Sequence, residues 1–82
     1  MSDEEFEVID ELYFVTSYQN LKSATDFDDD PLKSVLIELI KKGWVKIFKS
    51  VDYEVRLEEV LVKDFDNCYF LASKKGLLEH NS

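Results

Sequence analysis

The residues best suited to chemistry lie in one acidic stretch, Asp26-Phe27-Asp28-Asp29-Asp30. Its Asp-x-Asp-x-Asp spacing matches the first three ligand positions of a calcium-binding EF-hand loop. The match then fails, because the sixth position, which requires glycine for its turn, is Pro31. The twelfth position, which requires a bidentate carboxylate, is Ile37. The sequence therefore predicts no calcium site in this stretch.

Other reactive residue types occur singly. His80 is the only histidine and Cys68 the only cysteine, so neither a histidine metal site nor a catalytic triad has a second member. The flanks of Cys68, Asn-Cys-Tyr-Phe-Leu, indicate a buried thiol on a strand. Neither Gly43 nor Gly76 lies in a phosphate-binding loop. We therefore expect a non-catalytic protein with no cofactor or metal, located in a reducing cytoplasm.

Composition restricts the possible partners. The chain of 82 residues carries a formal net charge of −8, and 45% of its residues are hydrophobic, which is enough for one core in a single domain over residues 1–82. An acidic surface repels nucleic acid and anionic membranes at long range. The acidic start is unlike a signal peptide, and the longest apolar stretch, Val35–Ile40, is interrupted by Glu38 and is too short for a membrane span. We expect no membrane partner.

Three helices are predicted in the first half. Ser2 and Glu5 have the spacing of a capping box, and apolar residues then recur at helical spacing, which predicts a helix over residues 3–15. The stretch SYQNLKSAT predicts a short second helix. Asp30 as N-cap and proline at the next position predict a third helix over residues 31–42, ended by Gly43 in the left-handed conformation.

The second half changes to the two-residue period of β-structure. WVKIFKSVDYEVRL alternates apolar and polar positions, and CYFLA at residues 68–72 predicts a closing strand. Residues 53–64 fit a strand or a helix and stay undecided, whereas DFDN at residues 64–67 indicates a turn. Ser73 is placed to cap a short last helix.

Three stretches together resemble the winged-helix family of helix-turn-helix domains: LKSVLIELIKKGWV, SYQNLKSAT and FLASKKGLL. The resemblance implies an α+β fold of three helices, an extended β wing and a short C-terminal helix. The interval between Gly43 and the last strand is longer than a simple wing needs. An inserted helix, a bulged hairpin or a third strand would each account for the extra residues.

Many winged-helix proteins bind DNA by placing the third helix in the major groove, but the charge at this helix is unsuitable. Its N-terminal end carries carboxylates where the phosphate backbone would approach. We therefore expect a non-catalytic interaction module that binds a protein partner through the third helix, its acidic N-terminal turn or the wing, and self-association is compatible with this. The candidate contact residues are Phe27, Asp28, Asp29, Lys33, Ser34, Ile37 and Lys41. The alternative is a dimeric DNA-binding regulator in which Lys33, Ser34 and Lys41 meet the DNA.

Each candidate also has a purely structural interpretation. The aspartates can serve as a turn and a helix cap, although Asp28 and Asp29 exceed what capping requires. The lysines can belong to a mixed, solvated surface. Ile37 can border the core, or can form an exposed apolar cluster with Phe27.

Overall fold

The computed structural model describes residues 1–82, and four α-helices and one four-stranded antiparallel sheet give it an α+β fold. The helices are α1 (Asp3–Asp10), α2 (Tyr18–Thr25), α3 (Asp29–Lys41) and α4 (Lys74–His80). The strands are β1 (Thr16–Ser17), β2 (Val45–Ser50), β3 (Tyr53–Val55) and β4 (Tyr69–Ala72). Two 3-10 helices, Leu57–Glu59 and Val62–Asn67, lie between β3 and β4.

The first helix begins as predicted but ends early. The capping box is confirmed, because the backbone N–H of Glu5 donates to Ser2 Oγ (3.2 Å) and that of Ser2 donates to Glu5 Oε1 (3.0 Å). The predicted helix over residues 3–15 is wrong beyond Asp10. The carbonyl of Leu12 instead accepts from the N–H of Ala72, and Thr16 pairs with Phe70. Strand β4 therefore takes the backbone groups that a longer helix would have used.

The predicted start of the third helix is also wrong by two residues. Helix α3 begins at Asp29, with Asp28 rather than Asp30 as its N-cap, and the Asp28 side chain makes no capping bond. Pro31 is therefore the third helical residue, where its missing N–H is harmless because the first four N–H groups have no intrahelical partner. The predicted glycine at the other end is confirmed by the φ of +77° at Gly43.

The sheet has the strand order β1-β4-β2-β3, with every neighbouring pair antiparallel. Strands β2 and β3 form a hairpin whose register shifts between Phe48 and Ser50. Residues 57–67, called the insert from here on, contain both 3-10 helices. The undecided residues 53–64 thus divide between a third strand and the insert, and the DFDN turn is 3-10 helical.

The insert contributes to the core. Phe65 is fully buried, and its ring meets that of Phe70 edge-on with centroids 5.5 Å apart. Cys68 is buried as predicted, its thiol donates to the carbonyl of Asp64 (3.4 Å), and burial raises the pKa of that thiol. The insert is therefore anchored to the sheet by its own apolar residues and is part of the folded unit.

Ser73 joins the last strand to the last helix. Its Oγ accepts from the N–H of Gly76 (3.0 Å), which confirms the predicted cap, and donates to the carbonyl of Gly43 (2.6 Å). Gly76 packs so tightly that a Cβ added there would overlap the carbonyl oxygen of Trp44. Helix α4 is thereby held against the start of β2.

No helix of the chain has both the length and the apolar character required to cross a bilayer.

Candidate functional site

The seven candidate residues differ in their exposure. Asp28, Asp29, Ser34 and Lys41 are exposed, whereas Phe27, Lys33 and Ile37 are half-buried. Phe27 and Ile37 both pack against the core. Ile37 lies eight positions, or about 12 Å along the helix axis, after the first residue of α3, whereas Phe27 precedes the helix, so these two apolar side chains lie near different parts of α3.

The acidic N-terminus of α3 is bonded to α2. The hydroxyl of Tyr18, whose residue is fully buried, donates to Asp29 Oδ1 at 2.8 Å. Lys22 Nζ lies 3.2 Å from the same oxygen. The hydrogen bond from Tyr18 and then that from Lys22 hold the pKa of the Asp29 carboxyl below its usual range. Burial, and then the bond to Asp29, raises the pKa of Tyr18. Asp29 therefore has partners within the domain.

Lys33 is also engaged within the domain. Its Nζ lies 2.8 Å from Asp66 Oδ1 of the insert and 5.5 Å from the centroid of the Tyr18 ring. Only 17% of the Lys33 side chain is exposed. The hydrogen bond to Asp66 raises the pKa of Lys33. This lysine therefore connects α3 to the insert.

The other end of α3 is bonded to α1. Lys42 Nζ lies 2.6 Å from Glu5 Oε2 and 4.7 Å from the centroid of the Trp44 ring. Burial by itself raises the pKa of the Glu5 carboxyl, but the bonds from Lys42 and Ser2 together outweigh it, so the pKa is lowered. Helix α3 is thus linked to the insert near its start and to α1 just beyond its end.

The free surface of α3 is a polar stripe. Asp30, Ser34, Glu38 and Lys41 are exposed at helical spacing, and Asp28 precedes them at the N-cap. None of the five forms a salt bridge, as the salt bridges of α3 use other residues. Three carboxylates against one ammonium give the stripe a negative field. We call these five residues the α3 stripe.

The insert adds apolar surface beside this region. Leu61 is 61% exposed and Val62 is 40% exposed, and Val62 belongs to the same 3-10 helix as Asp66. The Lys33–Asp66 ion pair joins that 3-10 helix to α3. The acidic α3 stripe and the exposed apolar residues of the insert therefore lie on elements that are joined directly.

Sequence reasoning missed three residues that organise this surface: Tyr18, Lys22 and Asp66. Their partners lie on other elements, so no local spacing could identify them. One signal was present for Tyr18, because a buried tyrosine hydroxyl requires a hydrogen-bond partner. Nothing in the sequence marked Asp66, which the chain reaches only after the hairpin and the first part of the insert.

Two surface clefts border these elements. One, of about 430 Å³, runs between the end of α3 and the β2–β3 hairpin and is lined by residues that include Ile40, Val55 and Leu57. The other, of about 520 Å³, lies beside the insert and includes Leu61 and Cys68. No group of three or more His, Cys, Asp or Glu side chains is arranged to hold a metal ion.

Comparison with protein-family models, with curated proteins and with solved structures finds no match for this chain. The interpretation of the surface therefore depends on its own contacts and charges. Of these, the internal bonding of Lys33 and Asp29 and the free carboxylates of the α3 stripe are the most informative.

Proposed function

We propose that the chain is a non-catalytic interaction module on a winged-helix scaffold, and that it binds a basic protein partner through the α3 stripe and the adjoining insert. The order of the elements supports the scaffold, since three helices are followed by a hairpin, a closing strand and a short helix. In this proposal the insert extends the wing. The partner would present lysines or arginines to Asp28, Asp30 and Glu38.

The observation that carries the proposal is the internal pairing of Lys33. DNA affinity depends on free lysines and arginines that displace counterions from phosphates. Lys33, the cation of α3 closest to the end that would meet DNA, is held by Asp66 at 2.8 Å. Using it for a phosphate would leave Asp66 unpaired. Lys41 remains free, but it shares its stripe with three carboxylates.

Two fluorescence-anisotropy titrations at low salt test the proposal. One uses a labelled random-sequence DNA duplex, and the other a labelled oligo-lysine peptide without apolar residues. We expect no DNA binding, and peptide binding that falls as salt is raised. The double variant Asp28→Lys/Asp30→Lys should weaken peptide binding about tenfold, a change that corresponds to about 1.4 kcal/mol.

The control is Asp52→Lys/Glu54→Lys, which changes the net charge equally in the β2–β3 hairpin, where both residues are exposed. Equal weakening by both variants would show attraction by overall charge and would contradict the proposal. Salt-dependent DNA binding lost in Lys41→Ala would replace it with the DNA-binding alternative. Thermal denaturation of each variant monitored by circular dichroism confirms that the fold is retained.

A further inference from the structure

A second surface lies away from the α3 stripe, where α1 meets α4. The ring of Phe6 stacks on that of His80, with centroids 4.0 Å apart and planes inclined by 20°. The hydroxyl of Tyr13 lies 3.0 Å from His80 Nδ1, and the side-chain amide of Asn81 donates to the same hydroxyl at 3.3 Å. These contacts fix the rings of Phe6 and Tyr13 against the end of α4.

The rings are fixed but not covered. Only 6% of the His80 side chain is exposed, whereas Phe6 is 47% and Tyr13 is 42% exposed. Phe14, the next residue along the chain, is 82% exposed, the highest value of any large apolar residue in the protein. We call Phe6, Tyr13, Phe14 and His80 the aromatic face. Phe6 and Tyr13 are exposed aromatic residues held in place by their neighbours. Such residues are typical anchors of protein interfaces, because little conformational entropy is lost when they are covered.

The surroundings of the aromatic face are strongly acidic. Residues 1–21 contain six carboxylates and no lysine or arginine, namely Asp3, Glu4, Glu5, Glu7, Asp10 and Glu11. Glu5 is paired with Lys42. Asp10 lies 3.4 Å from His80 Nε2, which has no hydrogen-bond partner. The other four form no ion pair and are exposed. The lysines of α4, Lys74 and Lys75, lie at its opposite end.

From this charge and geometry we propose that the aromatic face docks a basic amphipathic helix of another protein. Apolar side chains of that helix cover Phe14 and the exposed parts of Phe6 and Tyr13. Its lysines or arginines reach the carboxylates of α1 and the faces of the rings, where cation–π contacts add to the attraction. The proposal concerns a different surface from the α3 stripe and does not depend on it.

The same charges argue against other occupants. A second copy of this chain would bring the unpaired carboxylates of two α1 helices together, which is unfavourable across an interface. Nucleic acid and anionic lipid are repelled by the excess of carboxylates in residues 1–21. A neutral apolar segment would leave the carboxylates without partners. A partner that is both apolar and basic can cover the exposed rings and pair with the carboxylates.

The test uses a labelled synthetic helix with the repeat Leu-Lys-Lys-Leu-Leu-Lys-Leu and two matched peptides, one with glutamate for every lysine and one with serine for every leucine. We expect the chain to bind the first peptide, and the other two at least about tenfold more weakly, because each lacks one half of the recognition. Phe14→Ser should weaken binding of the first peptide about tenfold, and Glu7→Lys/Glu11→Lys by a similar factor.

Asp52→Lys/Glu54→Lys in the β2–β3 hairpin is the control, because both residues are exposed and lie outside the aromatic face and the α3 stripe, and it should leave binding of the leucine–lysine helix within about twofold of the wild type. Absence of binding, or binding insensitive to Phe14→Ser, would overturn the proposal. Sedimentation equilibrium tests the self-association alternative. A wild-type dimer that Phe14→Ser dissociates would show that the face is covered by a second copy, which would also overturn it.

Discussion

The α3 stripe and the aromatic face are both acidic, but they differ in how their residues are used by the fold. Around α3, Asp29 and Lys33 are bonded to Tyr18 and Asp66, and the apolar residues Phe27 and Ile37 pack against the core. In residues 1–21, four of the six carboxylates form no ion pair, and Phe14, which follows α1, is 82% exposed. Several charged and apolar residues at α3 are thus used in contacts within the domain. The region of α1 instead exposes more carboxylates without an ion-pair partner and more of its aromatic rings.

This difference shows why a charged residue in a sequence is weak support for a binding role. Lys33 and Lys41 differ by eight positions on one helix, yet Lys33 is held by Asp66 and Lys41 has no ion-pair partner. An ion pair with a residue on a distant element largely neutralises a charge, and so makes it unavailable to a ligand. The residues that flank the charge in the sequence do not reveal such a pair. The two surfaces can therefore be distinguished by experiments that disturb one and preserve the other.

The largest expected effect comes from Gly76→Ala. A methyl group there would overlap the carbonyl oxygen of Trp44, and backbone atoms cannot move aside cheaply. We expect a loss of about 2–3 kcal/mol in the free energy of unfolding, since overpacking has costs of this size. Because α4 carries His80, the variant should also weaken binding of the leucine–lysine helix while oligo-lysine binding to the α3 stripe persists. Urea denaturation measures the first effect and anisotropy the second.

The control for this variant is Lys75→Ala, an exposed position next to Gly76. A surface substitution of this kind should change stability by less than about 0.5 kcal/mol. If the two variants were equally stable, the tight packing of α4 on β2 would be refuted, and with it the dependence of the aromatic face on that packing.

The next largest effect concerns Glu5, which joins α1 to the residue after α3. Glu5→Gln keeps an oxygen to accept from the Ser2 N–H but loses the charge opposite Lys42. We expect a loss of about 1–2 kcal/mol at neutral pH, typical of a charged hydrogen bond on a largely buried group. The folded-state pKa of Glu5 is lowered, so its contribution is complete above the ordinary value of 4.5 and is lost as pH falls through the folded value.

A series of urea unfolding curves from neutral pH downward measures this dependence. The stability difference between wild type and Glu5→Gln should be constant near neutral pH and shrink below about 4.5. Glu4→Gln is the matched control, because Glu4 is exposed and forms no ion pair. A pH-independent difference would mean that the ion pair is not what links the two helices.

The smallest effect is expected for Lys33→Ala, at about 0.5–1 kcal/mol, because its partner Asp66 is 44% exposed and can regain water. The loss arises from the broken ion pair and from removing the buried stem of the lysine. A double-mutant cycle with Asp66→Ala isolates the pair, and a coupling energy of about 0.5 kcal/mol is expected. Zero coupling would mean that Lys33 is free in solution, and would favour the DNA-binding alternative.

Much of the local structure could be predicted from the sequence. The capping box at Ser2, the cap at Ser73 and the left-handed Gly43 depend on neighbouring residues, and each is present. Errors occurred where a distant element competes for the backbone. The chain beyond Asp10 leaves the helix because β4 bonds to it, and residues 53–64 were ambiguous because their partners lie in β2 and α3.

The candidate site was less predictable than the fold. Its seven residues were chosen for their position on one helix, and helical spacing does place Ser34 and Lys41 at the surface. Helical spacing could not show that Asp29 and Lys33 have partners within the domain. Tyr18, the partner of Asp29, is 11 residues away, and Asp66, the partner of Lys33, is 33 residues away in the insert. It also gave no reason to select Phe14, whose exposure depends on where α1 ends.

The sequence by itself determined the net charge, the α+β class and the local caps at Ser2, Gly43 and Ser73, because these follow from composition and from short-range hydrogen bonding. Only the tertiary structure decided which charges and rings remain accessible. That outcome depends on contacts between residues far apart in the chain, such as Lys33 with Asp66 and Phe6 with His80, and such contacts exist only once the sheet and helices have packed together.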